Sequence, residues 1–162
     1  MDFLTSAIAG MNFPALTWLS LLFQDPIFLV LLTALAFLLM LRFRTSHASP
    51  LFLALLLAFF LLDPFKNLYA IPRPCVEIAA KIPCPPDAAF PSGHALVSGI
   101  FMLAAAGTPL FIAFLFLGTF VSFSRVYLGI HTFPDVAAGL AVGMILYALS
   151  ERIYLYYRRA VK

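Results

Sequence analysis

His131 and Asp135 are the residues whose spacing most directly suggests chemistry. They stand four positions apart at the start of an apolar segment, and this spacing on a helix brings the carboxylate beside the imidazole. A carboxylate that orients an imidazole fixes its tautomer and makes the other ring nitrogen a better nucleophile. The pair therefore predicts a nucleophilic histidine with an orienting acid.

The tetrapeptide Pro91-Ser92-Gly93-His94 directly precedes another apolar segment. Proline and serine are favoured at a helix N-terminus, where unpaired N–H groups and the helix dipole attract an anion. Gly93 would let the backbone approach a ligand closely, and His94 brings a second imidazole to the same place. The four residues predict a phosphate site, although a lone histidine at a helix end can also be structural.

Three basic residues, Lys66, Arg73 and Arg125, also lie near the ends of apolar segments. Ionisable groups at such positions are costly unless they are paired or functional. Together they could spread the charge of a transferring phosphoryl group, a role that metal ions have elsewhere. Each alone could be an anchor that reaches the membrane surface. Because no carboxylates cluster beside them, we expect neither a metal nor another cofactor.

The segments that must position these residues are suited to lipid. Of 162 residues, 64% are hydrophobic and only 10% are charged, which is atypical of a water-soluble domain. Five apolar runs approach, with their flanks, the roughly 20 residues that cross a bilayer. These runs are residues 27–41, 50–62, 95–106, 109–121 and 136–149. We therefore predict an all-α integral membrane helical bundle with five transmembrane helices, forming a single domain over residues 1–162.

Two further segments are expected outside the spans. Residues 1–24 form an amphipathic or interfacial segment in this prediction, because polar residues and Pro14 interrupt residues 3–23 and Trp18 suits the headgroup boundary. A sixth span at this position stays open as an alternative. Residues 72–91 contain six prolines and should form an irregular outer loop.

The positions of the basic residues predict the orientation in the cell membrane. Arg42 and Arg44 fall in the first loop between spans, and the C-terminal tail carries Arg152, Arg158, Arg159 and Lys162. The positive-inside rule places both regions in the cytoplasm. Residues 63–91, residues 124–134 and the short turn near Asp25 then meet on the outer face of a multi-pass inner or plasma membrane protein, and the predicted site lies on that face. A nucleic-acid partner is not expected, because no basic run with interleaved aromatics occurs.

Cys75 and Cys84, the only cysteines, both lie in the predicted outer loop. An oxidising compartment would allow them to form a disulfide, with two free thiols as the alternative. Two thiols without a nearby histidine are too few ligands for a closed zinc site.

These motifs together resemble those of the type 2 phosphatidic acid phosphatase superfamily. The three-part signature of that family is complete and in order: Lys66-x6-Arg73-Pro74, Pro91-Ser92-Gly93-His94, and Ser124-Arg125-x5-His131-x3-Asp135. The resemblance implies that His131 attacks phosphorus to form a phosphohistidine and that Asp135 orients it. It implies that His94 protonates the leaving oxygen and later activates water. The phosphate oxygens would be held by Lys66, Arg73, Ser92, Gly93 and Arg125.

The short chain and its N-terminal segment look most like the small undecaprenyl pyrophosphate phosphatases of this superfamily. We therefore expect hydrolysis of undecaprenyl or another polyprenyl pyrophosphate to the monophosphate, with membrane lipids as the other partners. Relatives with the same signature act on phosphatidylglycerophosphate, phosphatidate or lipid A, and these substrates stay open. The non-enzyme alternative is a membrane protein that binds lipid headgroups without turnover, although binding would gain little from the oriented pair His131 and Asp135. The sequence does not indicate the oligomeric state.

Overall fold

The computed structural model describes residues 2–43 and 48–160. Within these ranges the regular structure is entirely helical, which confirms the predicted all-α class. The α-helices are α1 (Phe3–Gly10), α2 (Pro14–Leu22), α3 (Pro26–Phe43), α4 (Ala48–Tyr69), α5 (Gly93–Ala104), α6 (Phe111–Tyr127) and α7 (Phe133–Ala160). Arg44 and Lys162, on which part of the topology prediction depends, lie outside the described residues.

The helices differ in their ability to cross a bilayer. Three of them, α3, α4 and α7, are long and apolar enough to do so, with 18, 22 and 28 residues. The helices α5 and α6 are apolar but shorter, with 12 and 17 residues. At about 1.5 Å per residue, α5 is only about 18 Å long, against a hydrocarbon core of about 30 Å. The chain is an integral membrane protein, and the count of five spans stays a prediction.

The N-terminal segment forms two short helices, where one interfacial helix or a sixth span was expected. Helix α1 has eight residues and α2 has nine, so each is about 12 to 14 Å long and too short to span a bilayer. Pro14 occupies the first turn of α2, where its missing N–H costs nothing, and it prevents α1 from continuing. Asp2 caps α1 by accepting a hydrogen bond from the backbone N–H of Thr5 at 2.8 Å.

Helix α5 packs against α4, α6 and α7. Its closest approach is to α7, where Gly99 faces a backbone carbonyl of α7 while Gly139 and Gly143 face the carbonyl oxygens of Ser92 and Leu96. A Cβ at any of these glycines would collide with backbone, so only glycine permits the contact. This close packing lies within the chain and brings the N-terminal ends of α5 and α7 together.

The apolar core lies between α4, α5 and α7. Leu51 and Ala54 of α4, Leu96 and Ile100 of α5, and Tyr147 of α7 are all essentially inaccessible to solvent. Their burial fixes the relative positions of the three helices. The ends of these helices therefore form a rigid base for the loops that carry charged residues.

Residues 72–91 connect α4 to α5 as the predicted irregular segment. The connection begins after α4 ends at Tyr69, later than the expected boundary at residue 63, and its only helical turn is Pro74–Val76. A disulfide joins Cys75 to Cys84 with a Cα–Cα distance of 5.6 Å, which confirms the predicted bridge. The bridge closes a small ring beside Arg73.

Lys81 fastens this loop to the rest of the molecule. Its Nζ donates hydrogen bonds to the carbonyl oxygens of Ala9 at 2.6 Å and Tyr127 at 2.8 Å. The same ammonium lies 4.2 Å from the centre of the Tyr127 ring, within the range of a cation–π interaction. The loop, α1 and α6 are thus connected through one side chain.

Candidate active site

The predicted site residues converge at one end of the bundle, although they come from six elements of the chain. Lys66 is in the last turn of α4, Arg73 is in the loop, and Ser92 to His94 begin α5. Arg125 is in the last turn of α6, His131 lies in the α6–α7 connection, and Asp135 is in the first turn of α7. Asp63, an ionisable residue near this end, is exposed and stands apart from the cluster.

His131 and Asp135 lie side by side as their spacing predicts. The distance from Nδ1 of His131 to Oδ2 of Asp135 is 3.7 Å, with both side chains 3% exposed. That distance is longer than a hydrogen bond. Oδ2 of Asp135 instead accepts a hydrogen bond from the backbone N–H of Thr132 at 2.7 Å, which fixes the carboxylate beside the ring.

The other ring nitrogen of His131 faces Arg73. Nη1 of Arg73 lies 3.0 Å from Nε2 of His131 and also donates to the carbonyl oxygen of Ile130 at 3.0 Å. Because a guanidinium can only donate, Nε2 must be the acceptor, and the neutral ring carries its proton on Nδ1 towards Asp135. Burial, followed by the charge of Arg73, lowers the pKa of His131 against the opposing effect of Asp135. Nε2 is therefore unprotonated in this arrangement, and its lone pair accepts the hydrogen bond from Arg73.

Asp87 is a residue of this site that the sequence motifs did not indicate. Its Oδ1 accepts from Nη2 of Arg73 at 2.8 Å, its backbone carbonyl accepts from Nε of Arg73 at 2.9 Å, and its Oδ2 forms an ion pair with Nζ of Lys66. Burial alone would raise the pKa of Asp87, but the hydrogen bonds from Lys66 and Arg73 outweigh it and lower the pKa to about 2. One sequence feature could have drawn attention to Asp87, because residues 72–91 contain only one other acid, Glu77.

Arg125 has a different set of partners. Its side chain is completely buried, and its Nη1 donates to Oε1 of Gln24 at 2.7 Å, its Nη2 to the carbonyl oxygen of Ser20 at 3.2 Å, and its Nε to Oγ of Ser124 at 3.1 Å. All three acceptors are neutral, and no carboxylate in the described part of the chain pairs with this guanidinium. Gln24 and Ser20 were also missed, because no motif marks them.

His94 lies between the N-terminal segment and Arg125. Its Nε2 is 3.1 Å from the carbonyl oxygen of Phe23 and 3.4 Å from Nη1 of Arg125. The carbonyl requires a donor at Nε2, whereas the guanidinium requires an acceptor, so the tautomer decides which contact is a hydrogen bond. A nitrogen with a choice of proton states at this position suits proton transfer.

Ser92 and Gly93 form the N-terminus of α5. The backbone N–H of Ser92 donates to the carbonyl oxygen of Asp135 at 3.1 Å, which ties the two helix ends together. The hydroxyl of Ser92 is buried and has no hydrogen-bond partner among the described residues. A buried hydroxyl without a partner is costly, and an oxygen-rich ligand at this helix end would satisfy it.

A cavity of about 480 Å³ lies among these groups, although Ser92, Arg125 and Asp135 do not line it. Lys66, Arg73, Asp87, His94 and His131 line its polar end. The rest is lined mainly by apolar side chains of α3, α5 and α6, among them Leu29, Leu32, Val97, Phe101, Phe114 and Leu117. Within residues 2–43 and 48–160, no group of three histidine, cysteine or acidic side chains could hold a metal ion. An anion at the polar end of the cavity would contact the side chains of Lys66 and Arg73.

Two histidines and two basic residues line one end of a largely apolar cavity, and a third basic residue, Arg125, lies beside His94. In an all-helical integral membrane protein, these are the features of a phosphatase for membrane lipids. The family comparison agrees, because the model of the PAP2 superfamily matches residues 47–159. The chain belongs to this superfamily. The resemblance drawn from the signature is thereby confirmed at the level of the family, and all the predicted site residues fall within the matched range.

Individual relatives are more distant. Over 74 residues the chain is 36% identical to the undecaprenyl-diphosphatase of Sulfolobus acidocaldarius, a match that covers 44% of this chain and only 36% of that protein. The crystal structure of LpxE from Aquifex aeolicus has a TM-score of 0.75 at 24% identity, covering 92% of this chain and 93% of the other. A transmembrane PAP2 type phosphatidylglycerolphosphate phosphatase from Bacillus subtilis has a TM-score of 0.71 at 20% identity, with coverages of 98% and 84%.

Proposed function

We propose that the protein hydrolyses a lipid-linked phosphate at the membrane surface, with undecaprenyl or another polyprenyl pyrophosphate as the substrate and the monophosphate as the product. The observation that carries this proposal is the cavity, which has a cationic end at Lys66 and Arg73, with His131 beside them, and an apolar remainder. A lipid phosphate has the complementary form, an anionic head on a hydrocarbon tail. The identity with a named undecaprenyl-diphosphatase supports the polyprenyl substrate.

In the proposed reaction, Nε2 of His131 attacks the terminal phosphorus while the bond to the leaving oxygen breaks. His94 gives its proton to that oxygen, and the phosphoryl group stays on His131. Water then attacks phosphorus, His94 takes a proton from the water, and the P–N bond breaks to release inorganic phosphate. Asp135, at 3.7 Å from Nδ1, stabilises the positive charge that the imidazole gains during attack.

The phosphate oxygens would be held by Lys66, Arg73 and Arg125, with the hydroxyl of Ser92 and the backbone at Gly93. Two contacts within the site must change for this to happen. The carboxylate of Asp87 occupies the donors of Lys66 and Arg73, so phosphate must replace it. Arg73 must also turn from Nε2 of His131 to the phosphate, which frees the nucleophile when the substrate arrives.

A phosphatidylglycerophosphate phosphatase is the second candidate, because the fold is shared along nearly the whole chain with a protein of that name. Phosphatidate and lipid A also combine a phosphate with hydrocarbon tails, and they are included in the phosphate-release assay below. Headgroup binding without turnover is less well supported. A binding protein would not need the unprotonated Nε2 of His131 directed at the position of the phosphate.

We further propose that five helices, α3 to α7, span the membrane, with the site on the outer face and the C-terminus in the cytoplasm. Arg42 ends α3, while Arg158 and Arg159 end α7, and in both helices these residues lie at the end away from the site. The positive-inside rule favours the cytoplasm for that end. The disulfide between Cys75 and Cys84 supports an oxidising compartment for the loop.

The test is phosphate release by purified protein in detergent micelles. The substrates are undecaprenyl pyrophosphate, phosphatidylglycerophosphate, phosphatidate and lipid A, each with and without excess chelator. We expect the highest kcat/KM on undecaprenyl pyrophosphate and no loss with chelator. Faster turnover of another lipid would reassign the substrate, whereas release from none of the four would contradict the enzyme proposal.

A further inference from the structure

The N-terminal segment contacts the site through three residues within residues 20–24. Oε1 of Gln24 and the carbonyl oxygen of Ser20 accept hydrogen bonds from Arg125, and the carbonyl oxygen of Phe23 lies 3.1 Å from Nε2 of His94. Gln24 also lines the cavity. These residues lie before the range that the family model matches, which begins at residue 47. The site as built therefore includes a part of the chain outside the common family region.

We propose that Gln24 is a positioning residue that holds the guanidinium of Arg125 in the orientation needed for the phosphoryl oxygens. The proposal rests on the proposed function, since Arg125 is a phosphate ligand only if the site binds phosphate. Gln24 makes the shortest contact of Arg125, at 2.7 Å. Because the guanidinium can only donate, the amide oxygen must face Arg125, and the amide NH₂ group remains for the cavity side.

The neutrality of Gln24 matters as much as its position. A carboxylate at this place would pair with Arg125, neutralise it and occupy its donors, as Asp87 does with Lys66 and Arg73. An amide oxygen satisfies one N–H group and leaves the positive charge intact. Buried charges are costly unless they are paired, so a completely buried Arg125 without a carboxylate is prepared for an anionic ligand.

The other contacts of Arg125 explain why Gln24 is needed. Ser124 is adjacent to Arg125 in sequence and binds Nε, and the carbonyl oxygen of Ser20 binds Nη2. Only Gln24 competes with His94 for Nη1, which lies 3.4 Å from Nε2 of His94. Without the amide oxygen, Nη1 would turn towards that ring nitrogen. Arg125 would then leave the phosphate, and His94 would lose its freedom to exchange a proton.

Two substitutions separate hydrogen bonding from packing. Gln24→Met keeps the length of the side chain and removes the acceptor, while Gln24→Glu keeps an acceptor and adds a charge. Thr17→Val is the matched control, because Thr17 ties the same segment to the hydroxyl of Tyr127 at 2.7 Å without touching Arg125 or His94. The measurements are kcat and KM on the best lipid substrate, thermal unfolding, and the affinity for orthovanadate, a phosphate analogue, from the thermal shift.

For Gln24→Met we expect a loss of about tenfold in kcat/KM and a similar loss in vanadate affinity, from one hydrogen bond to a charged group. For Gln24→Glu we expect a larger loss of vanadate affinity with an unfolding temperature at or above that of the wild type. Thr17→Val should keep wild-type kcat/KM and vanadate affinity.

Wild-type vanadate affinity and kcat/KM in Gln24→Met would overturn the proposal, as would equal losses in Gln24→Met and Thr17→Val. If Gln24→Met does not fold, Gln24→Glu decides, and undiminished vanadate binding by that variant is then the contradicting result. Failure of the proposed function looks different. In that case the wild-type protein would release no phosphate from any lipid, while the effect of Gln24 on vanadate binding could still be measured.

Discussion

The site has two halves that treat positive charge in opposite ways. In the first half, Lys66 and Arg73 share the carboxylate of Asp87, which is half-exposed at 50% of its side-chain surface. In the second half, Arg125 is completely buried and its partners are neutral. Each half contains one histidine, with His131 beside Arg73 and His94 beside Arg125.

The difference indicates two separate tasks. In the first half the carboxylate of Asp87 already pairs with both cations, so a substrate phosphate would exchange with it and the net change in charge pairing would be small. In the second half the phosphate would meet a buried charge that has no counter-ion, where each interaction is stronger because water is excluded. We infer that the half around Arg125 contributes most of the affinity for phosphate. We infer also that the half around Arg73, which contacts Nε2 of His131, controls when that nitrogen becomes accessible.

The largest expected effect is that of His94→Ala, in the second half of the site. General acid–base catalysis contributes about 10² to 10⁴ in rate, and a loss in that range is expected on a phosphate monoester. The loss should be smaller on undecaprenyl pyrophosphate, because its phosphate leaving group needs less protonation than an alkoxide. Steady-state kinetics of the wild type and His94→Ala on both substrates measures the loss in rate for each. Equal losses on the two substrates would contradict the assignment of His94 as the acid.

Arg125→Met should reduce kcat/KM by about 10² to 10³, in the range found when one donor to a transition-state oxyanion is removed. Because the substitution also removes a buried charge without a counter-ion, the unfolding temperature should not fall. Arg152→Met, at an exposed position on α7, is the control for removing a positive charge and should keep full activity. A clear loss of stability in Arg125→Met would mean that the neutral partners already compensate the charge.

Asp87→Asn, in the first half of the site, should strengthen the binding of phosphate analogues instead of weakening it. Without the competing carboxylate, Lys66 and Arg73 are free for phosphate, so vanadate affinity should rise by about fivefold, as for one partly exposed ion pair. Glu77→Gln is the matched control, since Glu77 is an exposed acid of the same loop. Weaker vanadate binding by Asp87→Asn would show that Asp87 positions the two cations instead of competing with phosphate.

The smallest expected effect is the pH dependence that Asp87 gives to stability. Its pKa is lowered to about 2 in the folded protein, against about 3.9 when unfolded. A lowered pKa means that the contribution is fully present above about pH 4 and is lost as the pH falls towards 2. Half exposure keeps the effect under about 1 kcal/mol. As the pH decreases from 5 to 2, the unfolding temperature should therefore fall slightly more steeply for the wild type than for Asp87→Asn. Parallel curves of unfolding temperature against pH would contradict this.

The predictable part of the site is the part that lies next to helix ends. The residues of the three signature segments adjoin apolar runs, and their i, i+4 and N-terminal positions follow from helix geometry alone. Asp87 and Gln24 could not be predicted in this way. One comes from a proline-rich connection and the other from the turn after α2, and their places depend on tertiary contacts such as those of Lys81 and Arg125.

The fold shows the same division. Apolar composition predicted the helices. The break between α1 and α2 is visible at Pro14, but only the structure shows that both halves lie against α6. Helix α5 has 12 residues, fewer than the roughly 20 that its apolar run and flanks were expected to approach, because the chain turns after Ala104. Hydropathy alone does not report where such a turn begins.

The most direct test of the account is to identify the residue that carries the phosphoryl group. Purified protein is mixed with undecaprenyl pyrophosphate labelled at the terminal phosphate and quenched under alkaline conditions within a turnover. We expect label on the wild type and accumulated label on His94→Ala, because water activation is slowed, with none on His131→Ala. Label retained by His131→Ala and absent from His94→Ala would contradict the account and reverse the roles of the two histidines.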